Sequence, residues 1–355
     1  MPAPTTDSAM YRTMHGQPEA LRRVLAEGWS GAGQAADMLV GARRVYVVGI
    51  GTSYHAALTG AWLLRAAGAD ARAVHSFDFA HYPECLPVGA ADAVIVMAHT
   101  GIKQFSSRAM ERATEAGATV LSAGSLSAEH PGSRLVLRTT ERESSAAYTA
   151  SHLAAMTVLA QVAAELGERG DAAATRVFRE AIERLPEQVA DILAREEDIV
   201  PVARSAIARQ IYVTGAGPNE VPALEAVIKV REAAYGRIDG LALEQFLHGP
   251  MVAFNAGDMA VIINVTGAAA GRVAEVAAAL AAMDGELWLV GDAMEHVAEA
   301  AVFPLPGTLE LLSPILTTVP MQLLAYHMAA LKGINPDTFR RDDPRYKAAF
   351  GMLKL

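Results

Sequence analysis

The chain has 355 residues, 52% hydrophobic and 19% charged, with a net charge of −9. That composition excludes a disordered chain, and the missing basic face argues against general nucleic-acid binding. The length suggests two domains of ordinary size. Cys85 is the only cysteine, so no intrachain disulfide can form; no Cys/His cluster has zinc spacing, and a reducing compartment is expected. The first thirty residues hold no signal-like apolar core and no later run reaches the ~20 apolar residues of a membrane span, so a soluble, cytoplasmic protein without membrane contacts is expected.

An amino-terminal helical segment is expected over 1–34. Next, RRVYVVGIGTS at 43–53 aligns without a gap with RQIYVTGAGPN at 209–219, and the same offset of 166 carries Asp92 with AVIVMAHTG onto Asp258 with MAVIINVTG. Two matches at one spacing imply an internal duplication, far longer than a solenoid repeat. Each copy runs apolar strand, glycine turn, amphipathic helix, apolar strand. Continuous Val/Ile runs alternating with helices predict an α/β fold: two doubly wound, flavodoxin-like parallel-sheet domains, over 35–165 and 201–333. Residues 166–200 are charged and helical in period, with Pro186 as an interruption, and are expected to connect the domains. The tail, 334–355, is expected to be extended with a short terminal helix.

Ligands in such folds sit beyond the carboxyl ends of strands. There, Gly49-Ile-Gly51-Thr52-Ser53 opens a helix whose free N–H groups and dipole would favour an anion, with two hydroxyls beside them. A plain strand-to-helix turn explains the motif equally well. The second copy, GAGPNE, has lost the hydroxyls, so only the first looks built for an anion. The next strand end, Ala98-His99-Thr100-Gly101-Ile102-Lys103, offers a hydroxyl, a glycine turn and a lysine that could complete a phosphate pocket. An isolated lysine is more often a solvated helix residue, and His99 is ambiguous for the same reason. Further on, Ser145, Tyr148 and Thr149 stand in a hydroxyl-rich loop before a helix, of which capping accounts for only one.

In the second copy, Glu225, Lys229 and Glu232 fall at i, i+4 and i+7 and share one helix face, among Ala223, Ala226, Val227, Val230 and Ala233. A solvated helix could carry such a pair for stability alone. Against that, the helix starts directly after a glycine turn and its surroundings are apolar, a setting that would raise a carboxylate toward the range of a general base. His248, in LEQFLHGPM, looks buried; a lone histidine there is more often structural.

Taken together, the GTS turn, ALEAVIKVREAAYG, the HGP turn and TTVPMQLLAYHMAALKGINPD resemble the isomerase portion of glucosamine-6-phosphate synthase and related double sugar-isomerase (SIS) domain proteins, over nearly the whole chain. The resemblance implies that Glu232 is the base moving a proton between C1 and C2 of a sugar, that His248 assists ring opening from a neighbouring subunit, and that Glu225 and Lys229 support the base. It implies sugar and phosphate contacts at Thr52, Ser53 and Thr100, and an approximate counterpart in Lys347 of a lysine that opens or tethers the sugar. It therefore implies a homodimer with shared active sites and a small-molecule sugar phosphate as partner.

The resemblance has no amino-terminal glutaminase part and no Cys at position 2, so glutamine is not expected as nitrogen source by that route. Three motifs depart from the family: 98–103 replaces Ser-Gln-Ser-Gly-Glu-Thr, Glu244-Gln-Phe-Leu247 replaces Gly-Glu-Leu-Lys and is closer to deglycase-like relatives, and DDPRYKAAF replaces the context of the tethering lysine. Enediol chemistry needs a carboxylate base, an acid and donors for the developing oxyanion, and no metal. No cofactor is expected; a nicotinamide lacks its acidic ribose partner. The leading expectation is isomerisation, amination or its reverse, or deglycation of a 6-phosphate ketose or amino sugar. The alternative is a sugar-phosphate-binding regulatory protein without turnover.

Overall fold

The computed structural model describes residues 7–293 and 300–353. Six residues of the 1–34 segment, 294–299 within the second domain and the last two of the tail therefore lie outside the described residues.

The chain opens with α1 (Ala9–His15) and α2 (Gln17–Leu39), followed by β1 (Val45–Gly49), α3 (Thr52–Ala66), β2 (Ala71–His75), α4 (Ser76–His81), β3 (Ala93–Met97), α5 (Gln104–Glu115), β4 (Thr119–Gly124), β5 (Leu135–Arg138) and α6 (Ala150–Arg169). Three shorter helices follow, α7 (Phe178–Glu183), α8 (Leu185–Leu193) and α9 (Val200–Ala206). Pro186 sits in the first turn of α8, where its missing N–H costs nothing, and so marks the break after α7. The second half runs β6 (Ile211–Gly215), α10 (Glu220–Ala234), β7 (Ile238–Ala242), α11 (Leu243–Leu247), β8 (Met259–Ile263), α12 (Ala270–Ala281), β9 (Glu286–Gly291), β10 (Ala301–Pro304), α13 (Ser313–Leu331) and α14 (Pro344–Gly351).

Two compact units result: one of residues 16–144, 148–186 and 340–355, the other of residues 1–15, 145–147 and 187–339. Each holds one five-stranded sheet, ordered β2-β1-β3-β4-β5 in the first and β7-β6-β8-β9-β10 in the second. Every recorded pairing is parallel. This is the doubly wound order 2-1-3-4-5, twice. The repetition reaches the register: Val45 lies opposite Ala93, and Ile211 opposite Met259, both members moved on by 166.

The central strands β1, β3, β6 and β8 are buried at every residue, as continuous apolar runs covered on both faces require. One core gathers Tyr46, Val48, Phe79, Val94 and Met110, the other Tyr212, Phe246, Phe254, Ile262 and Leu289. Among the described residues no helix is long and apolar enough to cross a membrane.

The glycine turns show why these strands end as they do. A Cβ on Gly49 would stand 2.4 Å from the Ser53 carbonyl oxygen, and one on Gly215 2.3 Å from that of Asn219. Two residues on, Gly51 and Gly217 adopt φ of +57° and +55°, a region that L side chains avoid. Each turn thus folds its helix start tightly back onto the strand end.

Candidate functional site

In the first unit the start of α3, the ends of β3 and β4 and the start of α6 line a solvent-open pocket whose empty volume, open solvent included, is about 310 Å³. Thr52, Ser53, His99 and Tyr148 line it, together with Thr139, Ser151 and His152. The sequence reading had singled out the first four. Ser151 and His152 were missed, although they stand two and three residues after Thr149 in the first turn of α6, and Thr139 closes the pocket just past the end of β5. Gly51 opens α3 beside the pocket as its N-cap.

The 98–103 loop is fixed from below. Gly101 has φ +72°, and a Cβ there would lie 2.5 Å from the Glu129 carbonyl oxygen and 3.0 Å from the His130 ring. His130 is held by a 2.6 Å bond to the Ser122 hydroxyl. Thr100 is buried, and its hydroxyl has no protein partner among the described residues. Lys103 is exposed ahead of α5 and does not line the pocket.

His99 packs edge-on to Tyr148, ring centroids 5.1 Å apart. The backbone N–H of Glu143 donates to its Nε2 at 3.4 Å, while its Nδ1 is buried without a protein partner. Burial, joined by the charge of Arg142, pushes this imidazole down to about 4, so it is neutral near pH 7. The Glu143 carboxylate in turn accepts from the N–H groups of Thr149 (3.1 Å) and Ser151 (2.6 Å), capping α6. Ser145 lies with the second unit, its hydroxyl donating to Asp337 at 3.2 Å.

The matching places in the second unit are filled by its own side chains. Asn219, the counterpart of Ser53, donates to the Ser313 hydroxyl (2.8 Å) and accepts from Thr317 (3.0 Å), both on α13. Beyond β8 the Thr266 N–H donates to Asp292 (2.6 Å) and the Ala268 N–H to Glu310 (3.1 Å). These carboxylates occupy the donors that an external anion would use.

On α10, the Lys229 ammonium lies 3.3 Å from Glu225 and 2.9 Å from Glu232. The Glu225 and Lys229 side chains are 0% and 1% exposed, whereas that of Glu232 is 31% exposed. The row therefore runs from a sealed carboxylate through a sealed ammonium to one that solvent or a ligand can reach. Burial alone would depress the ammonium; the charges of Glu232 and Glu225 override it and hold Lys229 above the ordinary lysine range. The neighbours are apolar as expected, and the Lys229 ammonium stands beside the Glu232 carboxylate at 2.9 Å. A base on a fixed helix, partnered by a cation, can receive a proton without moving.

His248 corrects the sequence reading: its side chain is 72% exposed. It follows α11 as the C-cap, before Gly249 at φ +127°, and its Nδ1 lies 2.7 Å from the Glu244 carbonyl oxygen. The apolar neighbours that suggested burial, such as Phe246, point into the core instead. Lys347 is exposed on α14. Among the described residues, no group of three or more His, Cys, Asp or Glu is placed to hold a metal ion.

Residues 38–165 match the SIS domain family. The chain is 29% identical over 334 residues to the isomerizing glutamine–fructose-6-phosphate aminotransferase of Pyrococcus horikoshii, covering 92% of this chain and 56% of that protein. It thus spans about half the length of the curated relatives it matches. Among solved structures, the C-terminal domain of glucosamine-fructose-6-phosphate aminotransferase from Francisella tularensis superposes with a TM-score of 0.85 at 16% identity, over 93% of this chain and 98% of that one. Tagatose-6-phosphate ketose/aldose isomerase from Escherichia coli gives 0.79 at 18% identity, over 95% and 96%. At these identities the superpositions speak for the fold.

Proposed function

We propose that the chain, which matches the SIS domain family over residues 38–165, is an enzyme acting on a phosphorylated ketose or amino sugar through an enediolate. The observation that carries this reading is the row Glu225, Lys229, Glu232, in which a buried ammonium supports one accessible carboxylate. The Glu232 carboxylate takes the proton from the carbon next to the carbonyl. The electron pair left behind forms the carbon–carbon double bond as the carbonyl oxygen takes up negative charge. Return of the proton to the former carbonyl carbon, with a proton passing from the hydroxyl oxygen of the first carbon to that of the second, completes an aldose–ketose shift; the same shift on a C2 imine serves amination by ammonia with loss of water, or its hydrolytic reverse, and on a C1 amine it serves deglycation, in which water releases the amine.

The first-copy pocket, taken by itself, supports the binding of an anionic group of the phosphate type. His248, exposed and held by Glu244, suits an acid acting toward a second copy in a homodimer, and Lys347 is the candidate for sugar tethering. The proposed setting is the cytoplasm. A regulatory binder without turnover is the competing reading, favoured by the altered 98–103 loop. Proton exchange at C1 or C2 in D₂O, lost in Glu232→Gln, separates the two.

A further inference from the structure

We infer that Lys332 is a positioning residue for Glu232: its ammonium clamps the last turn of α10 and so keeps that carboxylate beside Lys229. The inference rests on the reading of Glu232 as the proton-moving base and deepens it, since it names what holds the base in place.

α10 ends at Ala234, so Glu232 lies in its last turn. Lys229, one turn earlier, is sealed at 1% exposure, whereas the Glu232 side chain is 31% exposed. Helix ends fray, because their last carbonyls have no partner within the helix. Fraying here would carry Glu232 away from an ammonium that stays behind.

The structure meets this weakness from outside the helix. Tyr235 leaves α10 at φ +51°, and the N–H groups of Tyr235 and Gly236 both donate to the Val230 carbonyl. The carbonyls that follow are left without helical N–H partners. Lys332 donates from Nζ to the last of them, the Ala234 oxygen, at 2.7 Å. Lys332 is also the C-cap of α13, where its backbone N–H donates to the Met328 and Ala329 carbonyls. One residue thus closes the carboxyl ends of two helices that pack on each other, and its charge complements both dipoles. Arg231 adds a second tie to the same turn, donating to the Ile238 carbonyl at 2.7 Å. The junction is tight: a Cβ on Gly236 would lie 2.6 Å from Val230 Cγ1 and 3.3 Å from Met328 Cε. Lys332 itself is exposed, so filling the core is not its task.

Two readings on the full chain test the inference in wild type, Lys332→Met and Lys332→Arg; Lys332→Gln stands in if the methionine variant does not fold. The first is amide hydrogen exchange at residues 232–236, followed by NMR. Lys332→Met is expected to exchange about tenfold faster there, with Lys332→Arg close to wild type. The second is turnover, read as proton exchange in D₂O on a sugar phosphate that wild type turns over. In Lys332→Met, kcat should fall about tenfold with KM within about twofold of wild type, and Lys332→Arg should restore it. Amide exchange at the wild-type rate in Lys332→Met would overturn the clamp. An unchanged kcat in that variant, or a loss confined to KM, would overturn its role for Glu232. If wild type turns over no sugar phosphate, the enzyme reading fails, while the amide reading still decides whether Lys332 holds the helix end.

Discussion

The Lys229 ammonium stands 2.9 Å from a Glu232 carboxylate oxygen, yet only the carboxylate reaches solvent, at 31% exposure against 1%. A surface ion pair contributes little to stability, whereas one with a sealed partner depends on every member being present.

Lys229→Met should therefore destabilise the fold by about 3–5 kcal/mol, because it removes the ammonium that stands 3.3 Å from the fully buried Glu225 carboxylate. Adding Glu225→Leu should recover much of that loss by removing the stranded charge. Urea denaturation of both variants checks this, and a single variant as stable as wild type would show that Glu225 has other support.

The depressed His99 gives a pH signature. The unfolded chain binds a proton near the ordinary histidine value, about 6.5, while the folded ring does so only at about 4. Its contribution is present in full above the first value and is lost as pH falls toward the second. Between pH 7 and 4.5, wild type should lose about 2 kcal/mol more than His99→Gln. Denaturation midpoints at the two pH values provide the comparison.

Much of the fold was legible because the duplication left its mark where backbone geometry admits little choice. Gly49 and Gly51 recur as Gly215 and Gly217, since in both copies a Cβ would strike the turn or force an unfavourable φ. The Val/Ile runs followed from burial on both faces. The Glu225-Lys229-Glu232 row was visible for a related reason: helical spacing alone places these residues together. What stayed hidden depends on contacts distant in sequence. Nothing near Thr266 announces that Asp292 and Glu310 will take its loop's N–H groups, and nothing near Ser145 announces Asp337, 192 residues away. His248 misled because apolar neighbours in a short helix can turn inward while the next residue caps the end outside.

Gly101→Ala should cost about 1–3 kcal/mol, since it combines a positive φ with a Cβ pressed on the Glu129 carbonyl. Because the strain falls on the 98–103 loop, sulfate affinity should drop alongside the melting temperature. Unchanged sulfate binding would mean that the loop's shape does not set the pocket.

The self-filled second copy should open when its carboxylates are neutralised. Asp292→Asn combined with Glu310→Gln removes the charges that hold the Thr266 and Ala268 N–H groups, at a cost of about 1 kcal/mol each. Sulfate should then raise the melting temperature of the double variant more than that of wild type. An equal rise in both would indicate that the loop binds no anion even when vacated.

The central claim is that Glu232 moves a proton between neighbouring sugar carbons. The most direct measurement is NMR of the C1 and C2 protons of fructose, glucose, glucosamine and fructosamine 6-phosphates incubated with the protein in D₂O. Exchange on at least one of them, abolished in Glu232→Gln while binding of that sugar persists, is the predicted result. Exchange that continues at the wild-type rate in Glu232→Gln, or bound sugars that never exchange in wild type, would contradict the account.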